Sequence, residues 1–393
     1  MSLKIEFVER ATQKGAKIAP LCREFGISRE TGYKWLRRFG KDRDYSGLEE
    51  RSRRPATMPT AAAEELVLAV LELREAHPSW GPKKLQPLLR RRYGERAPSR
   101  ATIGRILERF GKVRKQRRRE RMTIIERAPE VVAEAANDVW TIDFKGWWLA
   151  RNGSRCEPLT VRDAYSRYVL LVQVMTPTMG AVQKALERLF RKHGVPAAIQ
   201  CDNGTPFISA MARGGLTRLS AWWVSLGIRI VRSRPGCPQD NGGHERMHRD
   251  LSTDIEAMPL PSPRATQRAL DRWRQEFNHV RPHEALGGKT PADFYKPRVR
   301  RQMRAQRFVY PPHWITRNVR CRGLIAIYGE EVTIGRALIG HSIGLEPLDG
   351  VSFRIWFGET DLGTLNLPPR PLEVDRACSR FLEKPFRKGK NAA

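Results

Sequence analysis

The sequence predicts a multidomain chain: α-helical helix-turn-helix units at the N-terminus, an α/β core, and a small all-β barrel at the C-terminus. Three observations predict it. Apolar residues recur at helical spacing through roughly the first 110 positions. β-rich runs take over from Asn137, and short strands separated by Gly turns follow Pro297. Helices first, strands interleaved with helices next, and strands alone last argue for separately built layers. With 393 residues, 40% of them hydrophobic, the chain is long enough for about two to four domains with real cores.

Charge narrows the partner. Lys and Arg number 72 against 42 Asp and Glu, a formal net charge of +30. Basic side chains release condensed counterions from a phosphate backbone, so such an excess points to nucleic acid. A membrane is not expected, because no stretch of about 18 uncharged apolar residues exists. Even the run 61–73 is broken by Glu64, Glu65 and Glu72. The start MSLKIEFVERATQ carries acids where a signal peptide needs an apolar block, so an intracellular protein is expected. The six cysteines, at 22, 156, 201, 237, 321 and 378, contain no CxxC pair, which argues against a disulfide framework and a thiolate zinc site.

In residues 1–45 the helical pattern runs through Ile18, Leu21 and Phe25, breaks at Gly26 and resumes through Ile27, Thr31, Trp35, Leu36 and Phe39. Ser28 is placed to cap the second helix. Two helices joined by a short Gly turn form a helix-turn-helix, whose second helix enters the major groove of double-stranded DNA. Arg29, Glu30, Tyr33, Lys34 and Arg37 then face outward toward it. Residues 46–60 read as a basic linker carrying Arg51, Arg53 and Arg54. Residues 61–122 predict a second helical DNA-binding unit, with helices near 62–76, 82–93 and 99–110 and with Arg100 and Arg105 toward DNA. It ends in a basic arm through Arg117, Arg118 and Arg119, interrupted only by Glu120. The first 128 residues hold 32 Lys or Arg against 16 Asp or Glu, so much of the basic surface lies here.

A core is expected over 130–296. VWTIDFKGWW, EPLTVRDAYSRYV and LLVQVM predict three antiparallel strands, followed by a helix over 178–193, a fourth strand in AAIQCDNG, and helices over 216–226, 242–256 and 264–279. A basic connector, 297–310, leads to the barrel at 311–369, with strands near 319–328, 331–334 and 351–357. Residues 370–393 read as a flexible tail.

Three acids stand out by position. Asp143 lies inside an apolar strand, Asp202 at the end of the fourth strand, and Glu245 one turn into a helix after Asp240-Asn241-Gly242-Gly243. A carboxylate in an apolar strand is costly unless a cation meets it. Convergence of three requires a divalent metal, and Mg²⁺ takes a few carboxylates while leaving room for phosphate oxygens. Singly, each has an ordinary explanation: Asp202 before Asn-Gly suits a turn, and Glu245 suits a helix N-terminus. The same stretch offers a rival. His244-Glu245-Arg246-Met247-His248 matches HExxH, two imidazoles on one helix face with a Glu as base, the zinc-protease pattern. Positions 251 and 254 are Leu and Asp, so the longer three-histidine form is absent.

The ordered set WTIDFKG (140–146), CDNGTPF (201–207), RPGCPQDNGGHERMHRDL (234–251) and NHVRPHEALGGKTPADFY (278–295) resembles the DDE transposases with a retroviral-integrase-type core, above all those of bacterial insertion sequences. GLEERSRRP and HPSWGPKKL resemble the same branch, so the likeness covers roughly residues 18–360. The resemblance implies a ribonuclease-H-like fold with a mixed sheet, and Asp143, Asp202 and Glu245 as catalytic metal ligands. It implies Mg²⁺, two ions per active site, with Mn²⁺ able to substitute. It also implies binding to the terminal inverted repeats of an insertion sequence, DNA cleavage and strand transfer, target DNA as a second partner, a homo-oligomer of at least two chains, and a place in the bacterial cytoplasm with the nucleoid. His244, Arg246, His248 and Arg249 become candidate DNA contacts. Asp202 follows Asp143 by 59 positions and Glu245 follows Asp202 by 43, the second interval being longer than such cores commonly have. An inserted loop around 211–218 accounts for it, and Glu256 is the other nearby acid. A DNA-binding regulator with an inert integrase-like core is the alternative; inverted repeats beside the gene discriminate between them.

Overall fold

The computed structural model describes residues 3–40, 45–49, 62–113, 132–233, 242–297 and 301–367. Two compact units divide at Ala63 and Glu64. The expected linker, basic arm and tail lie largely or wholly outside the described residues.

The first unit is three helices, α1 (Leu3–Ala11), α2 (Ile18–Glu24) and α3 (Arg29–Phe39). Ser28 Oγ accepts from the Thr31 amide at 3.1 Å and starts α3 as expected. Sequence periodicity did not predict α1, which fully buries only Phe7 and Val8, with Ile5 and Ala11 packed partly against the same core. Phe7 nonetheless packs edge-on against Phe25 and Trp35. Gly32 lets α3 approach this ring closely: a Cβ there would lie 2.6 Å from Cys22 Sγ.

The second unit begins with α4 (Glu64–Ala76), α5 (Pro82–Tyr93) and α6 (Arg100–Arg109), packed through Val70, Leu85, Leu89, Ile103 and Leu107. The core follows: β1 (Val139–Phe144), a minor hairpin of β2 (Trp148–Leu149) and β3 (Arg155–Cys156), then β4 (Pro158–Asp163) and β5 (Val169–Val174). After these come α7 (Met179–His193), β6 (Ala198–Cys201), α8 (Arg218–Ser225), β7 (Arg229–Arg232), α9 (Gly242–Leu251), α10 (Pro263–His279) and the short α11 (Pro291–Phe294). The sheet order is β5-β4-β1-β6-β7. The first three strands are antiparallel, and β6 and β7 run parallel to β1, so the sheet is mixed. The edge strand β7 was not foreseen, because Arg229 and Arg232 bracket only two apolar residues. Trp140, Ile142, Leu186, Phe190 and Trp223 fill one face under α7 and α8. Val169, Val172, Met247, Leu270 and Trp273 fill the other under α9 and α10.

The loop at 211–218 is irregular, as expected of an insertion, and it has a job. Gly214, at φ 57°, lies against Leu362, and Arg213 Nη1 donates to the Thr364 carbonyl at 3.0 Å, so the loop ties the core to the C-terminal β region. That region comprises β8 (Ile315–Asn318), β9 (Leu324–Ile327), β10 (Glu330–Thr333), β11 (Ser342–Pro347), β12 (Ser352–Phe357) and β13 (Thr360–Asn366). A four-stranded antiparallel sheet and a two-stranded one share a single core with Ala221 and Val224 of α8. The connector is pinned to the core as well: Arg301 Nη1 donates to the Pro196 carbonyl at 3.2 Å. Among the described residues no helix is long and apolar enough to cross a membrane.

Trp140 is wholly buried, with its indole N–H donating to Asn137 Oδ1 at 3.0 Å. Trp140→Ala is expected to destabilise the core by about 3–5 kcal/mol, read from urea unfolding; a loss under about 1 kcal/mol would mean the inner sheet face repacks freely.

Candidate active site

Parallel pairing sets the first two acids together. The register Val139↔Ala198 through Thr141↔Gln200, carried two pairs further, brings Asp143 level with Asp202 at the C-terminal ends of β1 and β6. Neighbouring strands lie about 4.8 Å apart, so both carboxylates emerge at one edge of the sheet. Asp143 is largely buried, whereas Asp202 and Glu245 are exposed. The Gly204 amide donates to Asp202 Oδ1 at 3.2 Å, and Asn203 Nδ2 donates to the Ser233 carbonyl at 2.7 Å, fixing the turn out of β6.

Burial pushes the Asp143 carboxyl up to about 7, helped by the Asp202 charge and to a smaller degree by Glu245, against the Phe144 amide that lowers it. All three acids therefore lie in one electrostatic neighbourhood. Yet among the described residues no three His, Cys, Asp or Glu side chains stand close enough to hold a metal ion together. The carboxylates are gathered without being closed into a ligand set. Their chemistry fits a hard divalent cation: oxygen donors of like charge whose mutual repulsion such an ion relieves. Glu256, the competing third acid, is taken by Lys145 at 2.8 Å.

The helix bearing Glu245 is latched to the sheet by its histidines. His244 Nδ1 meets Thr141 Oγ1 at 2.8 Å, and the Nε2 atoms of His244 and His248 meet Thr160 Oγ1 at 2.6 and 2.8 Å. Thr160 donates its own proton to the Asp143 carbonyl at 2.8 Å, so both Nε2–H groups donate to that one hydroxyl. Burial, then neighbouring charge, holds His244 well below its ordinary pKa, and burial with Lys145 and Arg162 lowers His248 to about 3. Two neutral imidazoles spent on one threonine offer no zinc site, which disposes of the HExxH reading.

His244 corrects an expectation. It is fully buried inside these bonds and does not reach DNA. His248 is mostly buried too, its Nδ1 3.9 Å from Asp143 Oδ2. Arg246 and Arg249 are exposed on α9, Arg100 and Arg105 on α6, and Arg29, Tyr33, Lys34 and Arg37 on α3. Arg51, Arg53, Arg54, Arg117, Arg118 and Arg119 lie outside the described residues. Sequence reasoning missed Thr141 and Thr160, whose strand positions read simply as sheet formers. Arg281, in the 278–295 motif, is buried and pairs with Asp250 of α9 at 2.6 Å and with Asp254 at 3.4 Å.

A mixed five-stranded sheet with acids at the ends of its central strands, preceded by helix-turn-helix units, defines the ribonuclease-H-like class of integrase cores. Separate stretches of the chain are similar to integrase cores, helix-turn-helix domains and an insertion-sequence transposase domain. Residues 133–238 and 226–291 match families described as Integrase core domain. Residues 3–56 match a Helix-turn-helix domain, 31–107 a Homeodomain-like domain, and 315–371 the IS481 family transposase, C-terminal domain. The insertion element IS476 uncharacterized 39.2 kDa protein of Xanthomonas euvesicatoria is 29% identical, over 63% of this chain and 70% of that one. The insertion element IS407 uncharacterized 31.7 kDa protein of Burkholderia multivorans is 29% identical, over 60% of this chain and 82% of that one. The HTLV-2 integrase catalytic core domain, solved with magnesium, is 17% identical and covers 42% of this chain and 100% of its own, with a TM-score of 0.34.

The raised Asp143 carboxyl has a consequence for stability. Its proton is held more tightly in the fold, near 7, than at the ordinary 3.8, so the stability it contributes is full below about pH 4 and is lost as pH rises through 7. In metal-free buffer above that range, Asp143→Asn is expected to be more stable than wild type by about 1–3 kcal/mol, the gain vanishing in acid. Thermal melts across pH check this; an asparagine variant that melts lower at every pH would contradict it.

Proposed function

We propose that the protein is a transposase that binds the terminal inverted repeats of an insertion sequence and catalyses metal-dependent DNA cleavage and strand transfer. The observation that carries this reading is the shared field of Asp143, Asp202 and Glu245 at the ends of β1 and β6 and on α9. Asp143 and Asp202 would hold Mg²⁺ or Mn²⁺, two ions per site, with Glu245 completing the set. When bound, these ions supply charge neutralisation and Lewis acidity to in-line displacement at phosphorus. The chain's own part is positioning. Thr160 grips the Asp143 backbone, and the histidine latch fixes the helix that carries Glu245. Arg29, Tyr33, Lys34 and Arg37 present the base-reading face of α3, while Arg246 and Arg249 on α9 and Arg100 and Arg105 on α6 meet phosphates. Joining two DNA ends in one event calls for at least two chains.

Incubation of purified protein with Mg²⁺ and labelled element ends tests the chemistry. Asp143→Asn and Asp202→Asn are expected to abolish nicking and joining while leaving end binding within about threefold of wild type. Retained nicking would overturn their assignment. For recognition, replacing Arg29, Lys34 and Arg37 with Ala is expected to weaken binding to element ends more than to random duplex. An equal loss on both would make α3 a backbone-binding helix without base readout.

A further inference from the structure

Beside the acids lies a cation that nothing described so far uses. Arg162, on β4, is only 7% exposed, and its Nε has no hydrogen-bond partner. Among the described residues it forms no ion pair. The adjacent Asp163 is committed elsewhere: Oδ1 accepts from the Asn137 amide at 2.8 Å, and Oδ2 accepts from the Ser166 amide and hydroxyl. Burying an arginine without a bonded anion is costly. Burial and the nearness of Arg167 lower its pKa to about 10 despite Asp163.

The guanidinium is aimed at the first turn of α9. A Cβ at Gly243 would lie 2.5 Å from Arg162 Nη2 and 2.7 Å from Nη1, so the flat group lies against the helix start and any larger residue there would have to displace it. α9 is ten residues long, and its first amides have no partners within the helix, so they favour an anion. Arg167, half-buried with a backbone φ of 64°, lies in the field of both Arg162 and Arg246. None of these three cations is ion-paired among the described residues. A helix start, a buried guanidinium lying on it with its Nε unpartnered, and further arginines nearby make a site for an oxyanion, and Glu245 sits two residues beyond Gly243.

We propose that Arg162, Gly243 and the first amides of α9, with Arg167 nearby, form a site for a DNA backbone phosphate, which places a phosphodiester next to Glu245. Recognition is through non-bridging oxygens and carries no sequence preference. The proposal rests on the reading of the protein as one that acts on DNA.

Binding of a labelled random-sequence duplex to the full chain, measured by anisotropy over a range of NaCl, tests it. Arg162→Met is expected to weaken binding about five- to thirtyfold at low salt. It is also expected to reduce the slope of log K against log salt by about 0.9, one phosphate contact. Wild-type affinity and slope in an Arg162→Met protein that melts normally would overturn the site and leave Arg162 a packing residue. Should that variant fail to give a cooperative melt, Gly243→Ala decides. Its methyl displaces the guanidinium while the charge remains, so weaker binding supports the site and wild-type binding overturns it. Failure of the wild-type chain itself to bind duplex would instead sink the underlying DNA reading, a distinguishable result.

Discussion

The parallel pairing of β1 with β6 is the constraint on which the rest depends. It joins strands separated by an antiparallel excursion and a long helix, and it delivers Asp143 and Asp202 to the same edge. Two like charges about 5 Å apart at an effective dielectric near 20 repel by about 3 kcal/mol. The fold bears this cost because Trp140 and Ile142 on the same strand are fully buried, so the strand cannot slip register by one residue without tearing them out of the core under α7 and α8. The elevated Asp143 carboxyl records first its burial in the sheet and then the nearby charge of Asp202.

The third acid depends on a different kind of restraint. Glu245 is exposed on a helix whose buried neighbours, His244 and Met247, face the sheet. Thr141 on β1 and Thr160 on β4 turn the imidazoles into structural pins, and Arg281 clamps the far end through Asp250 and Asp254. Lys84 of α5 also reaches Asp250, at 3.5 Å, so a helix of the second helical unit touches the same network as the acid-bearing helix. Elements gathered from distant parts of the chain thus meet on one ten-residue helix.

Much of this was legible in the sequence, for physical reasons that differ by region. Ser28 announces its helix because a capping hydroxyl is a local device, and it accepts an amide as expected; Ser99 does the same at the start of α6. Asp143 stood out because an acid between Ile142 and Phe144 needs an explanation in the sequence itself. What could not be read depends on partners far away. The four-residue strands β7 and β8 are too brief to announce pairing, β13 is too polar, and α1 has only two fully buried residues. His244 looked like a surface histidine on a basic helix; only the crossing of α9 over Thr141 and Thr160 shows it buried. Arg162 gave no signal either, since a basic residue in a strand reads as solvent-facing until both sheet faces prove covered.

The most direct measurement is Mn²⁺ uptake by the full chain, followed by the electron paramagnetic resonance of the free ion, for wild type against Asp202→Asn and Glu245→Gln. Saturable uptake by wild type, sharply weakened by either substitution, is what the proposed shared site predicts. Equal uptake by all three proteins, or none by wild type, would contradict it.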